Sequence, residues 1–565
     1  MSEHLIFIFY IFFLFFSTIG HGVLFSRFVY KDFLDLNIGY QGLIGFFSLS
    51  LISLLTSYIL PHNIIHNTIL HIIGIIGFFF YLKFKKKNIL EIKYLIILIL
   101  IFLIGAYVYK NHDDFPYYHL TYALNLSENR FIIGTGIFSH GFRTFSSLFY
   151  YHSILYMPYI KFYLFHIGPF FILVLYNYVI INKIIECCKN NKINFLFYFS
   201  LIGLIFVNIA FYRISEHGTD RSAQILLLLI FLFFYELFYF ENFKKNQPIY
   251  LNLLLILIFL ASSMKAIYYL YLVLVPIILF KKKFIIKFFE KKNYPIILIL
   301  LISLSGNLST NYFNTGCLLY PAEITCIGDK DWSIPKKEVK RMSIHYEWWA
   351  KAGGGPGYQS EIEPSEYIKN FTWLKNWIDR HFFNKVSDTL FGILFICLTV
   401  FLSFKYVSKR KLRKKNYINN FAYIIPLLFL LEWFLNHPAM RYGGYVLIGL
   451  PIFIYVSSKL NDLEISNRKI IKVTIIFLSI AMLGFVGRNM ARLNKEINFY
   501  NYNIIQSPLF YVENTKSQKI LKKNDFIVYT TKENKMCWAS KTPCSYKKDI
   551  KSKKFFGFNM VYAND

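Results

Sequence analysis

The sequence predicts an all-α polytopic membrane protein with about 14 transmembrane helices, and three observations support this. Of 565 residues, 56% are hydrophobic and 20% are aromatic, and the mean hydropathy is +0.42. The apolar residues form separate runs, each long enough to cross a hydrocarbon core of about 30 Å. Short clusters of Lys and Arg separate the runs, as the positive-inside rule predicts for cytoplasmic loops.

The predicted spans divide the chain into five parts. Residues 1–92 hold additional N-terminal helices, 93–310 a membrane core with a first loop at 110–163, 311–386 a large late loop, 387–487 further helices, and 488–565 a tail. Segments 525–531 and 555–562 of the tail are typical of strands, which predicts a small α/β extramembrane domain. The spans are 5–24, 40–60, 64–82, 94–109, 164–182, 195–212, 223–240, 249–264, 266–280, 294–310, 387–404, 420–436, 442–458 and 473–487.

The formal charge of +30 comes from 62 Lys and Arg against 32 Asp and Glu. Because most of the basic residues lie in short clusters between apolar runs, the charge indicates membrane topology, and we expect a lipid bilayer and no nucleic acid as partner. The apolar run at 5–16 has no basic region before it and no small-residue cleavage site after it. We therefore interpret it as the first span and not as a signal peptide.

Basic connections at 83–87, 244–245, 281–292 and 409–415 fix the predicted orientation. They all face the cytoplasm only if 249–280 is a hairpin of two short helices that meet at Lys265 on the outer side. The first loop, the late loop, the tail and the short connections at 213–222 and 437–441 then face outward.

The seven cysteines are consistent with this orientation. Cys317 and Cys326 share the late loop, and Cys537 and Cys544 share the tail, so an oxidising outer compartment would favour two local disulfides. No His/Cys arrangement has the spacing of a zinc site, so we expect no structural zinc.

The late loop has two further features. The glycines of 352–357 lack the Lys-Ser/Thr ending of a phosphate loop, which favours a flexible lid or hinge. Phe371, Trp373, Leu374 and Trp377 recur at helical spacing. They predict an amphipathic helix in the outer interface, and packing within the loop is the alternative.

Polar residues gather at the predicted outer ends of the helices, where they would surround one cavity. An acidic base that takes a proton from an acceptor hydroxyl, and cations that stabilise a departing phosphate, would suit glycosyl transfer from a lipid-phosphate donor. The candidate catalytic residues are Asp113 and Asp114, and the candidate substrate-binding residues are His119, His140, Arg143, Glu216, His217, Asp220, Arg221, Lys265, His437, Arg441 and Tyr445.

The order of these features resembles the GT-C class of polyprenyl-phosphate-sugar-dependent glycosyltransferases. Asp113-Asp114 matches the acidic motif that opens the first outer loop of that class, Glu216 or Asp220 its second acidic position, and 249–280 its helix hairpin. The late loop and the tail match its late outer loop and terminal domain. The stretches Asp-Asp-Phe-Pro-Tyr-Tyr-His from 113 and His-Pro-x-x-Arg-Tyr-Gly-Gly-Tyr from 437 also resemble those of bacterial polytopic membrane proteins of unknown function.

The resemblance implies a multi-pass enzyme of the bacterial inner (plasma) membrane, with an active site facing the periplasm or exterior. Asp113 would activate the acceptor, and Arg143, Lys265 and Arg441 would hold the phosphate. Asp114 and Glu216 would bind sugar or a divalent cation, Mg²⁺ or Mn²⁺ being the candidate cofactor. The partners would be a lipid-linked sugar donor and a glycan, lipid or protein acceptor of the cell envelope.

Two alternatives remain open at this point. An O-antigen or polysaccharide polymerase or ligase would depend more on Arg143 and Arg441 than on Asp113. A flippase or other transporter of lipid-linked glycans would use charges within the spans, for which Glu236 and Glu432 are candidates.

Overall fold

The computed structural model describes residues 3–84, 88–108, 114–215, 218–239, 247–280, 282–355, 357–412, 421–500, 503–523, 526–532 and 536–563. Three predicted site residues, Asp113, Glu216 and His217, lie outside these ranges.

Helices dominate the described residues, and short 3₁₀ and π-helical turns connect several of them. The α-helices are α1 Glu3–Phe28, α2 Ile38–Ser57, α3 Ile64–Phe84, α4 Asn88–Phe102, α5 Ile104–Tyr107, α6 Leu120–Glu128, α7 Ser147–Ser153, α8 Gly168–Lys189, α9 Phe195–Ala210, α10 Gly218–Tyr239, α11 Gln247–Ser262, α12 Leu274–Leu279, α13 Lys282–Phe288, α14 Tyr294–Thr315, α15 Lys336–Ala350, α16 Pro364–Tyr367, α17 Leu374–Trp377, α18 Ser387–Val407, α19 Phe421–Asn436, α20 Gly444–Asn461 and α21 Asn467–Tyr500.

Among the described residues, strands form four antiparallel two-stranded sheets, each made of consecutive strands. They are β1 Gly354–Gly355 with β2 Tyr358–Gln359, β3 Lys409–Leu412 with β4 Leu463–Glu464, β5 Ser517–Lys523 with β6 Phe526–Thr531, and β7 Ile550–Phe555 with β8 Phe558–Ala563.

Nine helical segments of the described chain are long and apolar enough to cross a membrane, and four apolar helices of 10–17 residues accompany them. Each predicted span overlaps a helix of the structure. The chain therefore has the helices that a polytopic membrane protein requires, while the number of about 14 spans stays a prediction.

The first three helices pack at short distance because glycines face each other. A Cβ atom added to Gly20 would lie 1.7 Å from the carbonyl oxygen of Gly74, and one added to Gly45 would lie 1.8 Å from that of Thr18. Small residues at helix contacts let backbones approach within a membrane, where no hydrophobic effect drives helices together.

Helix α10 lies at the centre of the helical part. In its most apolar window 94% of the residues are buried, whereas the corresponding share is 33% for the segment with α14, 22% for that with α18 and 28% for that with α21. The buried helix begins with the sequence Gly-Thr-Asp, so the structure places Asp220 where the centre of the helical part meets the loops.

The first loop, the late loop and the tail pack together beyond the same helix ends. Their side chains share one hydrophobic cluster, and the tail pairs with the first loop through its backbone. Ile133 N–H donates to the carbonyl oxygen of Asn559 at 3.0 Å, and Val561 N–H donates to that of Ile133 at 2.9 Å. The three segments thus form one packed layer, whose extramembrane position stays a prediction.

The tail differs from its prediction in two respects. Helix α21 continues to Tyr500, past the predicted boundary at 488, and an ion pair between Arg492 and Glu496 four residues apart stabilises this extension. The described residues from 503 onward form strands and no α-helix. The strands predicted in the tail are thus present, while the helical part of 488–565 is the end of α21.

The structure contains both predicted disulfides, Cys317–Cys326 and Cys537–Cys544. The other cysteines, Cys187, Cys188 and Cys397, are buried.

Glycines of the late loop pack against the indole ring of Trp348 and form a β-hairpin. Gly354 and Gly355 pair with Tyr358 and its neighbour, and a Cβ added to Gly353 or Gly354 would lie 2.2 Å from atoms of the Trp348 indole. The close approach of the indole explains the glycines at 353 and 354, and no hinge is needed to explain them.

Candidate functional site

Four ionised side chains from distant parts of the chain meet at the end of α10. Lys265 Nζ lies 2.6 Å from Asp220 Oδ1, and Arg441 Nε lies 2.9 Å from Asp220 Oδ2. Arg441 Nη2 also lies 3.1 Å from Asp114 Oδ2. The four residues, which we call the ionic cluster, comprise two carboxylates and two cations.

The end of a helix or turn presents each residue of the ionic cluster. Asp220 lies in the first turn of α10, and Lys265 precedes the 3₁₀ segment Ala266–Val273. Arg441 lies in the 3₁₀ turn between α19 and α20, and Asp114 precedes the π-helical turn Phe115–His119. Helix N-termini favour anions, which suits Asp220 at its position.

Four hydrogen bonds hold the loop that carries Arg441. The indole N–H groups of Trp377 and Trp433 donate to carbonyl oxygens of this loop at 2.7 and 3.0 Å. Gln224 and Tyr268 donate to the carbonyl oxygen of Arg441 itself, at 3.2 and 3.0 Å. The backbone of this loop is therefore held by side chains from several elements.

The buried and exposed members of the ionic cluster differ in what they can do. The Asp220 side chain is 1% exposed and interacts with both cations, whereas Asp114 and Arg441 are 26% and 24% exposed. Asp220 is thus suited to hold the cations, and Asp114 and Arg441 can reach a ligand.

The charges of the cluster set the pKa values of its cations. Burial alone would lower the pKa of Arg441, but Asp220, with Tyr442 and Asp114, raises it well above its ordinary value. Burial lowers the pKa of Lys265, and Asp220 opposes that shift. Arg441 is therefore a permanent cation.

Aromatic rings enclose the cations. Lys265 Nζ lies 5.0 Å from the centroid of the Tyr442 ring, and Arg441 Cζ lies 5.8 Å from that of Trp349 in α15. Cations over aromatic faces gain about 0.5–2 kcal/mol depending on desolvation. The late loop thus contributes a wall of the site.

Arg143 and His140, predicted to share this cavity, belong to a different cluster. Arg143 Nη1 lies 3.0 Å from Glu338 Oε1 and donates to the Tyr320 hydroxyl at 3.2 Å. His140 lies near this cluster, and burial, with the charge of Arg143, lowers its pKa. Arg143 and Glu338 thus join the first loop to the late loop, and the role of Arg143 in phosphate binding stays a prediction.

Arg221 and Tyr445 contact each other next to the ends of α9 and α10. Arg221 donates to the carbonyl oxygen of Ala210 at the end of α9, at 2.9 Å, and its Cζ lies 4.7 Å from the centroid of the Tyr445 ring. These contacts join α9, α10 and α20. Binding of substrate by these two residues stays a prediction.

His119 lines a small cavity. Its volume of about 10 Å³ has room for about one water molecule. His152 and His166 line it as well, together with the end of α10. Sequence reasoning did not select His166, because no motif surrounds it.

A divalent cation would need several oxygen ligands. Within the described residues no group of three or more His, Cys, Asp or Glu side chains could hold a metal ion. Of the two predicted metal ligands, Asp114 interacts with Arg441, and Glu216 lies outside the described part.

Gln224 and Tyr268, which hold the backbone of Arg441, could have been identified from the sequence. Gln224 lies one turn after Asp220 on α10, and Tyr268 lies one turn after Lys265. Residues three or four apart share a helix face. A search from each charged residue along its helix would therefore have found both.

A family model described as "Domain of unknown function (DUF8201)" matches residues 5–448. The chain belongs to this family. The match includes all four residues of the ionic cluster and ends within α20, so the tail lies beyond it. Searches of curated proteins and of solved structures found no match.

Proposed function

We propose that this protein is a membrane glycosyltransferase of the GT-C type. It transfers a sugar from a polyprenyl-phosphate-linked donor to a glycan, lipid or protein acceptor of the cell envelope, at the outer face of the bacterial inner membrane. The observation that carries the proposal is the ionic cluster, in which an accessible carboxylate and an accessible cation lie beside a buried ion pair at the ends of apolar helices.

The cations are suited to bind a phosphate at the membrane surface. Arg441 and Lys265 converge on Asp220, and charge-assisted hydrogen bonds to phosphate oxygens are among the strongest that side chains form. The isoprenoid tail of the donor would stay among lipids beside the helices. A donor phosphate at the end of α10 would thus be near both the bilayer and the loops.

Binding of the donor would release the base. A phosphate that engages Arg441 competes with Asp114 for the same guanidinium, so the Asp114 carboxylate becomes available to an acceptor hydroxyl. The carboxylate takes the hydroxyl proton, the oxygen attacks the anomeric carbon, and the bond from that carbon to the phosphate oxygen breaks. The phosphate leaves with the electron pair, and Arg441 and Lys265 stabilise its charge.

The test is a glycan analysis of envelopes from cells that carry the wild type, Asp113→Asn, Asp114→Asn or Arg441→Ala, at equal membrane levels. Asp388→Asn, at an exposed carboxylate in the first turn of α18, is the matched control. We expect the control to be silent and one acidic variant to lose a sugar substituent, with a rate lower by about 10²-fold or more.

Other outcomes of this test contradict the proposal. Shortened polymer in Arg441→Ala, with both acidic variants silent, would indicate a polymerase or ligase. Unchanged glycans in all variants would remove the support for an enzyme.

A further inference from the structure

A small cavity lies directly beside the ionic cluster. It has a volume of about 10 Å³, enough for one water-sized group. The 3₁₀ segment Ala266–Val273, the end of α19 and the start of α20 enclose it. It is lined by Ile267, Tyr268, Leu270, Tyr271, Glu432, Trp433, His437, Tyr442 and Leu447.

The polar groups around this cavity are incompletely satisfied. The Tyr271 hydroxyl and His437 Nδ1 are shielded from solvent and have no hydrogen-bond partner among the described residues. Tyr271 is 2% exposed. Glu432 Oε1 accepts a hydrogen bond from Asn436 at 3.3 Å, which leaves acceptor capacity on the carboxylate. A buried polar group without a partner is destabilising, so the cavity is suited to a polar guest.

The three groups complement a hydroxyl. A hydroxyl has one donor and two acceptor lone pairs; the Glu432 carboxylate accepts, and the Tyr271 hydroxyl donates or accepts. Burial, with the charge of Lys351, lowers the pKa of His437 to about 4, so at neutral pH its ring is uncharged and holds one N–H. The remaining walls are aromatic or aliphatic, as in sites that bind small organic groups.

The cavity and the cations share a wall. The Tyr442 ring lines the cavity and lies 5.0 Å from Lys265 Nζ. Tyr268 also lines it, and its hydroxyl donates to the carbonyl oxygens of Asp220 and Arg441 at 3.2 and 3.0 Å. The cavity is therefore adjacent to the cations that are proposed to bind the donor phosphate.

We propose that this cavity, with Tyr271, Glu432 and His437, binds one hydroxyl of the donor's sugar and so selects the sugar. The proposal rests on the function proposed above. Sites that bind a hydroxyl with buried polar groups reject analogues without it, because those groups are then left unpaired. The site thus recognises a polyprenyl-phosphate sugar through two points, the phosphate and one hydroxyl.

The test measures binding of defined lipids to the full chain in nanodiscs. The probes are decaprenyl phosphate and decaprenyl phosphate that carries glucose, galactose or mannose. The variants are Tyr271→Phe and Glu432→Gln, and the matched control is Tyr455→Phe on α20, where the tyrosine is 56% exposed.

We expect the wild type and the control to prefer one glycosylated lipid over decaprenyl phosphate. Tyr271→Phe and Glu432→Gln should bind that lipid about 10-fold more weakly or worse, and bind decaprenyl phosphate as the wild type does.

Failure of this inference can be distinguished from failure of the proposed function. If the wild type prefers a glycosylated lipid and both variants keep this preference, or lose affinity for both lipids equally, the cavity holds only a structural water and the inference is wrong. If the wild type binds no glycosylated lipid better than decaprenyl phosphate, the proposed donor fails as well.

Discussion

Asp220 is nearly inaccessible to solvent, and a carboxylate at such a position needs partners because the loss of hydration costs several kcal/mol. Lys265 and Arg441 supply them, and Asp220 in turn separates the two cations. Asp114 interacts with the same arginine from a position that is 26% exposed. The Asp220 carboxylate therefore depends on its partners in the ionic cluster more than the Asp114 carboxylate does.

This difference predicts unequal effects of the same substitution. Asp220→Asn leaves two cations facing each other and should lower the stability by about 3–5 kcal/mol, which a lower melting temperature in detergent would reveal. Asp114→Asn should change the stability by less than about 1 kcal/mol while it reduces transfer. Equal melting temperatures of the two variants would contradict the supporting role of Asp220.

The pairing of Glu338 predicts a pH dependence. Arg341 and Arg143 lower the pKa of Glu338 to about 2, below its ordinary value of 4.5. Its stabilising effect is therefore complete above about pH 4.5 and is lost as the pH falls toward 2. Thermal melts between pH 6 and pH 3 should show a smaller loss of stability for Glu338→Gln than for the wild type.

Glu366→Gln is the control for this measurement. Glu366 pairs with Lys369 at the surface, where both side chains are more than half exposed. Such pairs contribute about 0–1 kcal/mol, so this variant should follow the wild type at every pH. A pH dependence of Glu366→Gln equal to that of Glu338→Gln would contradict the assignment.

At the scale of elements, the segment around α17 joins the late loop to the site. Its helical spacing predicts an amphipathic helix at the interface, but Trp373 and Trp377 are 2% and 5% exposed and pack against Phe434. These two rings therefore pack against α19, outside the late loop, and the position of the segment in the outer interface stays a prediction. Trp377 additionally bonds the loop of Arg441.

Trp377→Phe should separate positioning from folding. The phenyl ring keeps most of the packing and loses the hydrogen bond to the loop, so we expect a turnover about 5-fold to 10-fold lower with a melting temperature close to that of the wild type. Trp332→Phe, which also removes an indole hydrogen bond but lies beside Tyr312, is the control and should keep full turnover. Equal losses would contradict the positioning role.

Helices α8 and α10 are joined near their other ends by a buried ion pair between Lys183 and Glu236. Removal of one partner leaves a buried charge, whereas replacement of both by apolar residues is often neutral. Lys183→Met and Glu236→Leu should therefore each lower the melting temperature more than the double variant does. A double variant with the summed loss would show that the two residues act independently.

At the scale of the whole molecule, the ionic cluster and the three packed segments (first loop, late loop and tail) lie at one end of the helical part. The Lys183–Glu236 pair lies toward the opposite end. The positive-inside rule predicts that the cluster end faces outward. Two surface positions can test this, Lys522 on β5 and Asn190 after α8, both of which are exposed.

A membrane-impermeant maleimide should label Lys522→Cys in spheroplasts and should label Asn190→Cys only after lysis. The wild type is the control, because its cysteines are buried or in disulfides. Labelling in the reverse order would overturn the predicted orientation and place the ionic cluster on the cytoplasmic side.

The amino-acid sequence by itself determined the helices and both disulfides. Apolar runs must satisfy their backbone hydrogen bonds internally, and cysteines seven or nine residues apart can meet in any compact loop. It also indicated all four residues of the ionic cluster, since charged residues at the ends of apolar runs are costly unless they are used or paired.

Only the tertiary structure decided which of these residues meet. Asp114 and Arg441 are 327 positions apart, and the same packing that joins them pairs Arg143 with Glu338, 195 positions away. Local patterns predicted strands at 525–531 and 555–562, whereas the pairing of the tail with the first loop at Ile133 depends on contacts that no local pattern reveals. Sequence patterns report the cost of exposing or burying a group, whereas the choice of partner depends on contacts between distant segments.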